Sequence, residues 1–487
     1  VLEQIELGDA SLAALAQDWR DLLFPNASDD QFADGYAQAV TFGLLIARAF
    51  DISLADGLDL AAPKLKKSNS LIGTALSLLT ESEETQRALA TSLKTMTRVF
   101  DAVNWADISA DKDAWLNFYE DFLEVYDNRL RKLTGSYYTP PEVVGAMVRL
   151  VDEALRGPLF ERAAGLASKD VTVADPAVGT GTFLLGVMRQ IAANVEADQG
   201  AGAVHGELLA AMKRLFGFEL QFGPFAVAQL RVIAEWRALA SVNEEDAELV
   251  KNLRLYITDT LDNPFVEDEH LPQVVEAVAK SRREANRMKR KEPITVVIGN
   301  PPYKEKAEGR GGWIEKGSDG RAAPLDYWKA RKEWKIGAHG KHLKNLYVYF
   351  WRWASLKVFG SGIAEATELP VKDEDGLICF ITVAGFLNGP GFERMRDDLR
   401  RTCTNIWVID CSPEGHQPEV SMRIFEGVQQ PVCIVIAARR KGETPDKPAA
   451  VRFRALPAGK RKDKFAYLSN MTFTDPAWQD CPKDWRA

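Results

Sequence analysis

The 487-residue sequence is short of the features that would place it outside the ordinary globular class. No stretch approaches the ~20 uninterrupted apolar residues of a membrane span, and the N-terminus lacks the basic-then-apolar order of a secretory signal. A cytoplasmic location with no membrane partner is therefore expected. The five cysteines (Cys379, Cys403, Cys411, Cys433, Cys481) form no C-x-x-C pair and the five histidines are scattered, so neither a disulfide framework nor a zinc site is indicated. The thiols are expected to be reduced and buried, and no metal is expected. There is no internal repeat. G-K-[ST] is absent, which excludes a P-loop, and no G-x-G-x-x-G marks a dinucleotide site. Positive charge is not in excess either. The net charge of -8 argues against a chain whose whole surface binds nucleic acid.

What is present falls into textures. Residues 1–130 carry helix-period apolar spacing, as in "YAQAVTFGLLIARAF" and "WLNFYEDFLEVYDNRL", with few strand-like runs. This predicts an all-helical N-terminal domain. From 131 to 440, short β-rich runs alternate with helical segments: "VTVADP", "RLFGFEL", "LRLYITD", "TVVIGN", "GLICFIT", "NIWVIDC" and "PVCIVIAA". Such alternation predicts an α/β fold with a doubly wound, mostly parallel, Rossmann-like sheet. Within 304–344, "GRGGWIEKGSDG" reads as a long mobile loop. Residues 441–487 read as a polar C-terminal extension. Two basic, Trp-associated runs, "KSRREANRMKRK" (280–291) and "WKARKEWKIGAHGKHLK" (328–344), flank residues 296–306 and suit a nucleic-acid groove.

The chemistry gathers at predicted strand ends. "ADPAVGTGTF" places Asp175 before Gly179 and Gly181. The glycines permit a tight turn and a close backbone approach, while the acid suits an ammonium or hydroxyl better than a pyrophosphate. Such a loop fits a cationic amino-acid cofactor such as S-adenosylmethionine. Glu219 ends the next predicted strand and can grip two ribose hydroxyls bidentately; Asp259 ends the third and can accept from an adenine amine. Open α/β sheets bind ligands at the carboxyl ends of their strands, so the three acids should share one crevice. The fourth strand runs into Asn300-Pro301-Pro302-Tyr303. Two prolines fix the backbone, an amide oxygen and a main-chain carbonyl can accept from one NH2 group, and the Tyr303 ring offers a stacking face. These are the parts of an amine-methylating site acting by positioning and charge stabilisation.

Together "ADPAVGTGTF" and "GNPPY" resemble the amino-methyltransferases, specifically the gamma-arrangement N6-adenine DNA methyltransferases, whose cofactor segment before the glycine loop is similar to "TGSYYTPPEVVGAMV" (134–148). The resemblance implies S-adenosylmethionine as cofactor, with Tyr138 and Thr139 against its methionine part. It further implies a pocket lined by Asp175, Ala177, Gly179, Gly181 and Phe183, with Glu219 on the ribose and Asp259 on the adenine. Asn300, Pro301, Pro302 and Tyr303 would hold the target adenine. "VSMRIFEGVQQPVCIVIAAR" is similar to the segment whose aromatic packs on the extruded base, here Phe425. Acting inside a duplex requires flipping the base out, with aromatic faces replacing its lost stacking.

"FADGYAQAVTFGLLIARAF" (32–50) and "FYEDFLEVYDNRLRKLTGSYYTP" (118–140) are similar to the helical region preceding the methylase in single-chain restriction-modification enzymes. The implied role is marking of DNA in restriction-modification or phage defence, with double-stranded DNA and further restriction or defence subunits as partners. The sequence departs from such enzymes in lacking G-K-[ST] and an obvious target-recognition domain. Its nuclease-like pattern, Asp326 with Glu333-Trp334-Lys335, reads as coincidence. The alternatives are an RNA or protein-glutamine amino-methyltransferase, which shares Asn-Pro-Pro-Tyr, or a non-catalytic specificity or scaffold subunit. Carbon-5 cytosine methylation is excluded, since no Pro-Cys pair occurs.

Overall fold

The computed structural model describes residues 1–22, 28–49, 52–54, 63–64, 83–102, 138–240, 252–266, 276–318, 320–330, 337–362, 374–442 and 447–482. Its centre is a nine-stranded sheet of order β3-β2-β1-β4-β5-β7-β6-β8-β9. The strands are β1 (Val173–Asp175), β2 (Leu215–Glu219), β3 (Arg254–Ile257), β4 (Val296–Gly299), β5 (Gly376–Val383), β6 (Asn405–Asp410), β7 (Val432–Arg439), β8 (Ala450–Ala455) and β9 (Gln479–Asp480). Every apolar run read as a strand is one. β1 to β5 pair in parallel. β7 inserts antiparallel between β5 and β6, which is why eight residues of β5 face eight of β7 in a fully buried pair.

The chain leaves β1 toward β2 and β3, then returns to lay β4 on the other side of β1. This reversal makes the carboxyl ends of β1 and β4 the switch point at which such sheets open a ligand crevice. Asp175 and Asn300 stand at those two ends.

Around the sheet, Pro141–Arg156 and Phe222–Ala240 each pack on Thr182–Gln199, and Asp29–Ala49 of the N-terminal region packs on Phe222–Ala240. Phe32, Tyr36, Val40 and Leu44 of that helix, at i, i+4 and i+8 spacing with one step beyond, belong to the same buried cluster as the sheet. The segment 115–130, also read as helical, lies outside the described residues, as do 134–137 and 333–335.

Two expectations are corrected. The segment read as a mobile loop contains the helix Gly312–Lys316 and the 3₁₀ turns Pro324–Trp328 and Gly337–Leu343, with Trp313, Ile314, Leu325, Trp328 and Leu343 buried. Its glycines belong to tight turns rather than to freedom: Gly312 sits at φ +49°, where a Cβ would stand 2.7 Å from the Leu261 carbonyl oxygen. The C-terminal extension is not separate from the sheet. β8 pairs in parallel with β6, β9 pairs with β8, and the helix Arg461–Ser469 lies between them in sequence.

Among the described residues no helix is long and apolar enough to cross a membrane, and no three His, Cys, Asp or Glu side chains are placed to hold a metal ion. Cys379, Cys403, Cys411 and Cys433 are buried free thiols, and Cys481 is half-buried.

Candidate functional site

The glycine loop is held by its neighbours. After β1, Gly179 (φ +53°) and Gly181 (φ +87°) take left-handed backbone conformations that suit glycine, and Gly181 precedes the helix Thr182–Gln199. A Cβ on Gly181 would meet Ala228 at 3.4 Å. From the helix Phe222–Ala240, Arg231 Nη1 donates to the Thr180 carbonyl at 2.8 Å and to the Thr180 and Thr182 hydroxyls at 3.2 and 3.1 Å. Thr260 Oγ1 donates to the Pro176 carbonyl at 2.5 Å. Neither Arg231 nor Thr260 stands out in the sequence, because each acts on backbone far away along the chain.

Asp175 is 1% exposed. Its Oδ1 accepts from Ala177 N at 3.1 Å, and its Oδ2 has no hydrogen-bond partner among the described residues. Burial pushes this carboxyl up to about 8, with the Glu219 charge adding and the Ala177 N–H opposing. The adjoining residue of β4 is Gly299, where a Cβ would stand 2.9 Å from Asp175 Oδ1. The absence of a side chain there lets the acid of β1 and the amide following β4 share one crevice.

Glu219 is more constrained than expected. Its Oε2 accepts from Gly179 N at 2.9 Å, and its Oε1 accepts from Leu220 N at 2.9 Å and Gln221 N at 2.8 Å. A carboxylate offers about four lone-pair positions, so three filled positions do not accommodate a bidentate grip on two hydroxyls. One further hydroxyl fits. Burial raises the Glu219 pKa against the pull of these three N–H groups.

Asp259 Oδ1 accepts from Leu261 N at 2.9 Å. Burial and the Asp262 charge push this acid up to about 7. Beneath it, Lys289 Nζ donates to the Asp259 carbonyl at 2.6 Å and to Thr258 Oγ1 at 3.1 Å, and lies 5.6 Å from the centre of the Phe218 ring. Burial lowers the Lys289 pKa. This lysine belongs to the run 280–291 that was read as a phosphate-binding surface. The run is a helix, and periodicity turns Lys289 inward while Lys280, Arg283, Arg287 and Lys291 remain exposed on one face.

On the other side of β1, Asn300 Nδ2 donates to Thr139 Oγ1 at 3.0 Å. This bond directs the donor end of the amide to the segment before the glycine loop and defines its oxygen as the acceptor end. Thr139 is buried and Tyr138 half-buried, just ahead of the helix Pro141–Arg156. Pro301 is buried and Pro302 half-buried. Tyr303 is 6% exposed, and its hydroxyl donates to the Ile381 carbonyl at 3.4 Å. Phe425 is 4% exposed and meets Tyr303 edge to face, with ring centres 6.0 Å apart at 73°. Ala177 is half-buried in the glycine loop. Phe183 is a core residue of the helix behind it. The structure thus brings Asn300 to Thr139, Tyr303 to Phe425, Gly299 against Asp175, and Glu219 to Gly179.

A mixed, mostly parallel sheet of this order with a glycine loop at β1 and an Asn-Pro-Pro-Tyr turn at β4 defines a class, the Rossmann-like methyltransferase folds. Residues 110–314 match the family described as N-6 DNA Methylase. In solved structures the fold is similar to that in a DrdV–DNA complex, at TM-score 0.67 and 19% identity over 100% of this chain and 44% of that one. It is also similar to a nuclease-deletion mutant of the Type ISP restriction-modification enzyme LlaGI in complex with a DNA substrate mimic (TM-score 0.67, 16% identity, 99% of this chain and 36% of that one). A further similar structure is the ATP-dependent Type ISP restriction-modification enzyme LlaBIII bound to DNA (0.65, 17%, 99% and 30%). The chain therefore spans less than half the length of each of these proteins. No curated protein sequence matches it.

Proposed function

We propose that this chain transfers a methyl group from S-adenosylmethionine to the N6 amine of an adenine flipped out of duplex DNA, as the modification activity of a restriction-modification or phage-defence system. The observation that carries this reading is the meeting of Asn300 with Thr139 on one side of the β1–β4 switch point and Asp175 on the other. When bound, the cofactor supplies an electrophilic methyl on a positively charged sulfur.

The residues present fit that group. Asp175 Oδ2, buried and lacking a partner among the described residues, suits the ammonium of an amino acid. Glu219 accepts one ribose hydroxyl while keeping Gly179 in place, and Asp259 accepts the adenine amine. The Asn300 amide oxygen and the Pro301 main-chain carbonyl accept both hydrogens of the target amine, aligning its lone pair with the methyl. Pro301 and Pro302 keep those acceptors in place with little entropy to lose. Tyr303 and Phe425 stack on the extruded base, offsetting part of an unstacking cost of a few kcal/mol. The three DNA-bound neighbours add support from fold likeness.

Asn300→Ala should lower methyl transfer to DNA by ~10² to 10³, as when one preorganised polar contact to the reacting group is removed. Cofactor affinity by calorimetry should stay nearly unchanged. A parallel loss of both would reassign Asn300 to the cofactor pocket, and labelling of RNA or protein instead of DNA would overturn the substrate.

A further inference from the structure

The loop from Cys411 to Pro431 joins β6 to β7 and has little regular structure beyond the turn Val420–Met422. Backbone carbonyls in such a loop lack ladder partners and must find other donors. Here the donors come from the helix Arg461–Ser469. Arg461 Nε donates to the Arg423 carbonyl at 2.6 Å, Nη2 to the Val420 carbonyl at 2.8 Å, and Nη1 to Glu426 Oε1 at 2.6 Å. These acceptors bracket Phe425 on both sides. One turn later, Lys464, fully buried, donates to the Met422 carbonyl at 2.9 Å, the Cys411 carbonyl at 3.2 Å and Glu414 Oε2 at 2.7 Å. Glu414 Oε1 in turn accepts from Gly459 N at 2.8 Å.

The same helix is anchored on its far side. Arg149 donates to the Leu468 carbonyl at 2.7 Å and to the Met471 carbonyl, and Phe473 N donates to Glu153 at 2.9 Å. Arg149 and Glu153 belong to the helix Pro141–Arg156, which begins just after Thr139, the partner of Asn300.

We propose that Arg461 and Lys464 are positioning residues that clamp the loop carrying Phe425 against Tyr303, so that the C-terminal helix sets the aromatic wall of the target-base site. This rests on the reading of Phe425 as a base-stacking residue. A planar guanidinium holds its donors in a fixed fork, so Arg461 meets its three acceptors in one pre-organised geometry that the compact ammonium of a lysine at 461 would not reproduce. The clamp matters because the two rings touch edge to face at 6.0 Å, whereas a planar base between two ring faces needs about 7 Å from plane to plane. Base entry requires Phe425 to shift, and holding the backbone before it and the Glu426 carboxylate after it confines that shift to a small range.

The test uses the full chain with Arg461→Met, Arg461→Lys, Phe425→Ala and the Arg461→Met/Phe425→Ala double variant. Amide hydrogen exchange is read without DNA, and methyl transfer is read from labelled S-adenosylmethionine to unrelated genomic DNA. In Arg461→Met, exchange across 418–428 should rise about tenfold or more, as expected for losing hydrogen bonds to a charged donor. Exchange across 173–181 and cofactor affinity should not move. Transfer should fall, Arg461→Lys should recover part of it, and Arg461→Met should cost nothing further in the Phe425→Ala background, because residues acting through one another are not additive. Unchanged exchange at 418–428, or an additive loss in the double variant, would overturn the clamp. A wild-type chain that binds cofactor but labels no DNA would count against the function proposed above, and the exchange result would then decide the clamp alone.

Discussion

On the proposed reading, Asp175 couples cofactor binding to pH through a single buried acid. Its carboxyl is pushed up to about 8 by burial, against an ordinary value near 4. Between those values the folded protein holds a proton that the unfolded chain does not, so this group's contribution to stability falls as pH rises through that window. A cationic amino-acid ligand favours the charged form. Binding should therefore expel a proton near pH 7, and affinity should rise from pH 6 to pH 8. Calorimetry in two buffers of different ionisation heat measures this directly, and Asp175→Asn should shrink the difference between the buffers. Equal heats in both buffers with the wild type would mean that Asp175 is already ionised.

Among the elements, the segment after the Asn-Pro-Pro-Tyr turn departs most from its appearance in sequence. Glu315 Oε2 accepts from Gly309 N at 2.8 Å and Gly311 N at 3.0 Å, closing the turn that starts the short helix Gly312–Lys316. That helix lies against Leu261, two residues from Asp259, and Trp313 meets Phe265 edge to face. Gly312→Ala would place a methyl group against the Leu261 carbonyl oxygen at a left-handed φ. It should cost about 2 kcal/mol or more, from strain plus overpacking. A lower melting temperature, together with weakened cofactor binding, would be the expected pair of results. An unchanged melting temperature would show that the turn relaxes freely.

The strands of the central sheet were legible because buried parallel strands are written as continuous apolar runs. The site acids and Asn300 were legible because they stand where those runs stop. β8 was not, since an edge-side strand can carry arginines: Arg454, 5% exposed, donates to the Tyr467 hydroxyl at 3.0 Å. Glycine content misled in 309–320 because the tight turns it allows are cemented by Trp313 and Ile314. The inward turn of Lys289 follows from helical periodicity, but only once the partners at 258 and 259 are known.

At the scale of the molecule, a net charge of -8 leaves DNA attraction to local patches. Part of the second basic run is already neutralised, since Lys344 pairs with Glu308 and Lys329 with Asp326. The exposed stripe Lys280, Arg283, Arg287 and Lys291 has no such ion-pair partners among the described residues. This chain should bind unrelated duplexes weakly and with little sequence preference, because phosphate contacts position a protein without specifying sequence. Arg283→Gln with Arg287→Gln should reduce the slope of log affinity against log salt by about 2, near 0.9 per phosphate. Fluorescence titration at several salt concentrations measures it. An identical slope would remove the stripe from the DNA-binding surface, and tight, salt-resistant binding to one duplex would show that sequence readout is already encoded.

The bonds from Arg149 to the carbonyls of Leu468 and Met471 also have a meaning in time. The partners lie 319 and 322 residues apart, and a ribosome adding about 5 to 20 residues per second needs roughly 16 to 64 s to make that span. Every residue proposed for the cofactor emerges before that interval or in its first half, the clamp on the Phe425 loop only at its end. On the proposed assignments, a nascent chain would complete its cofactor crevice first and its base-holding wall last, and a product broken off before Arg461 would lack the clamp on that wall.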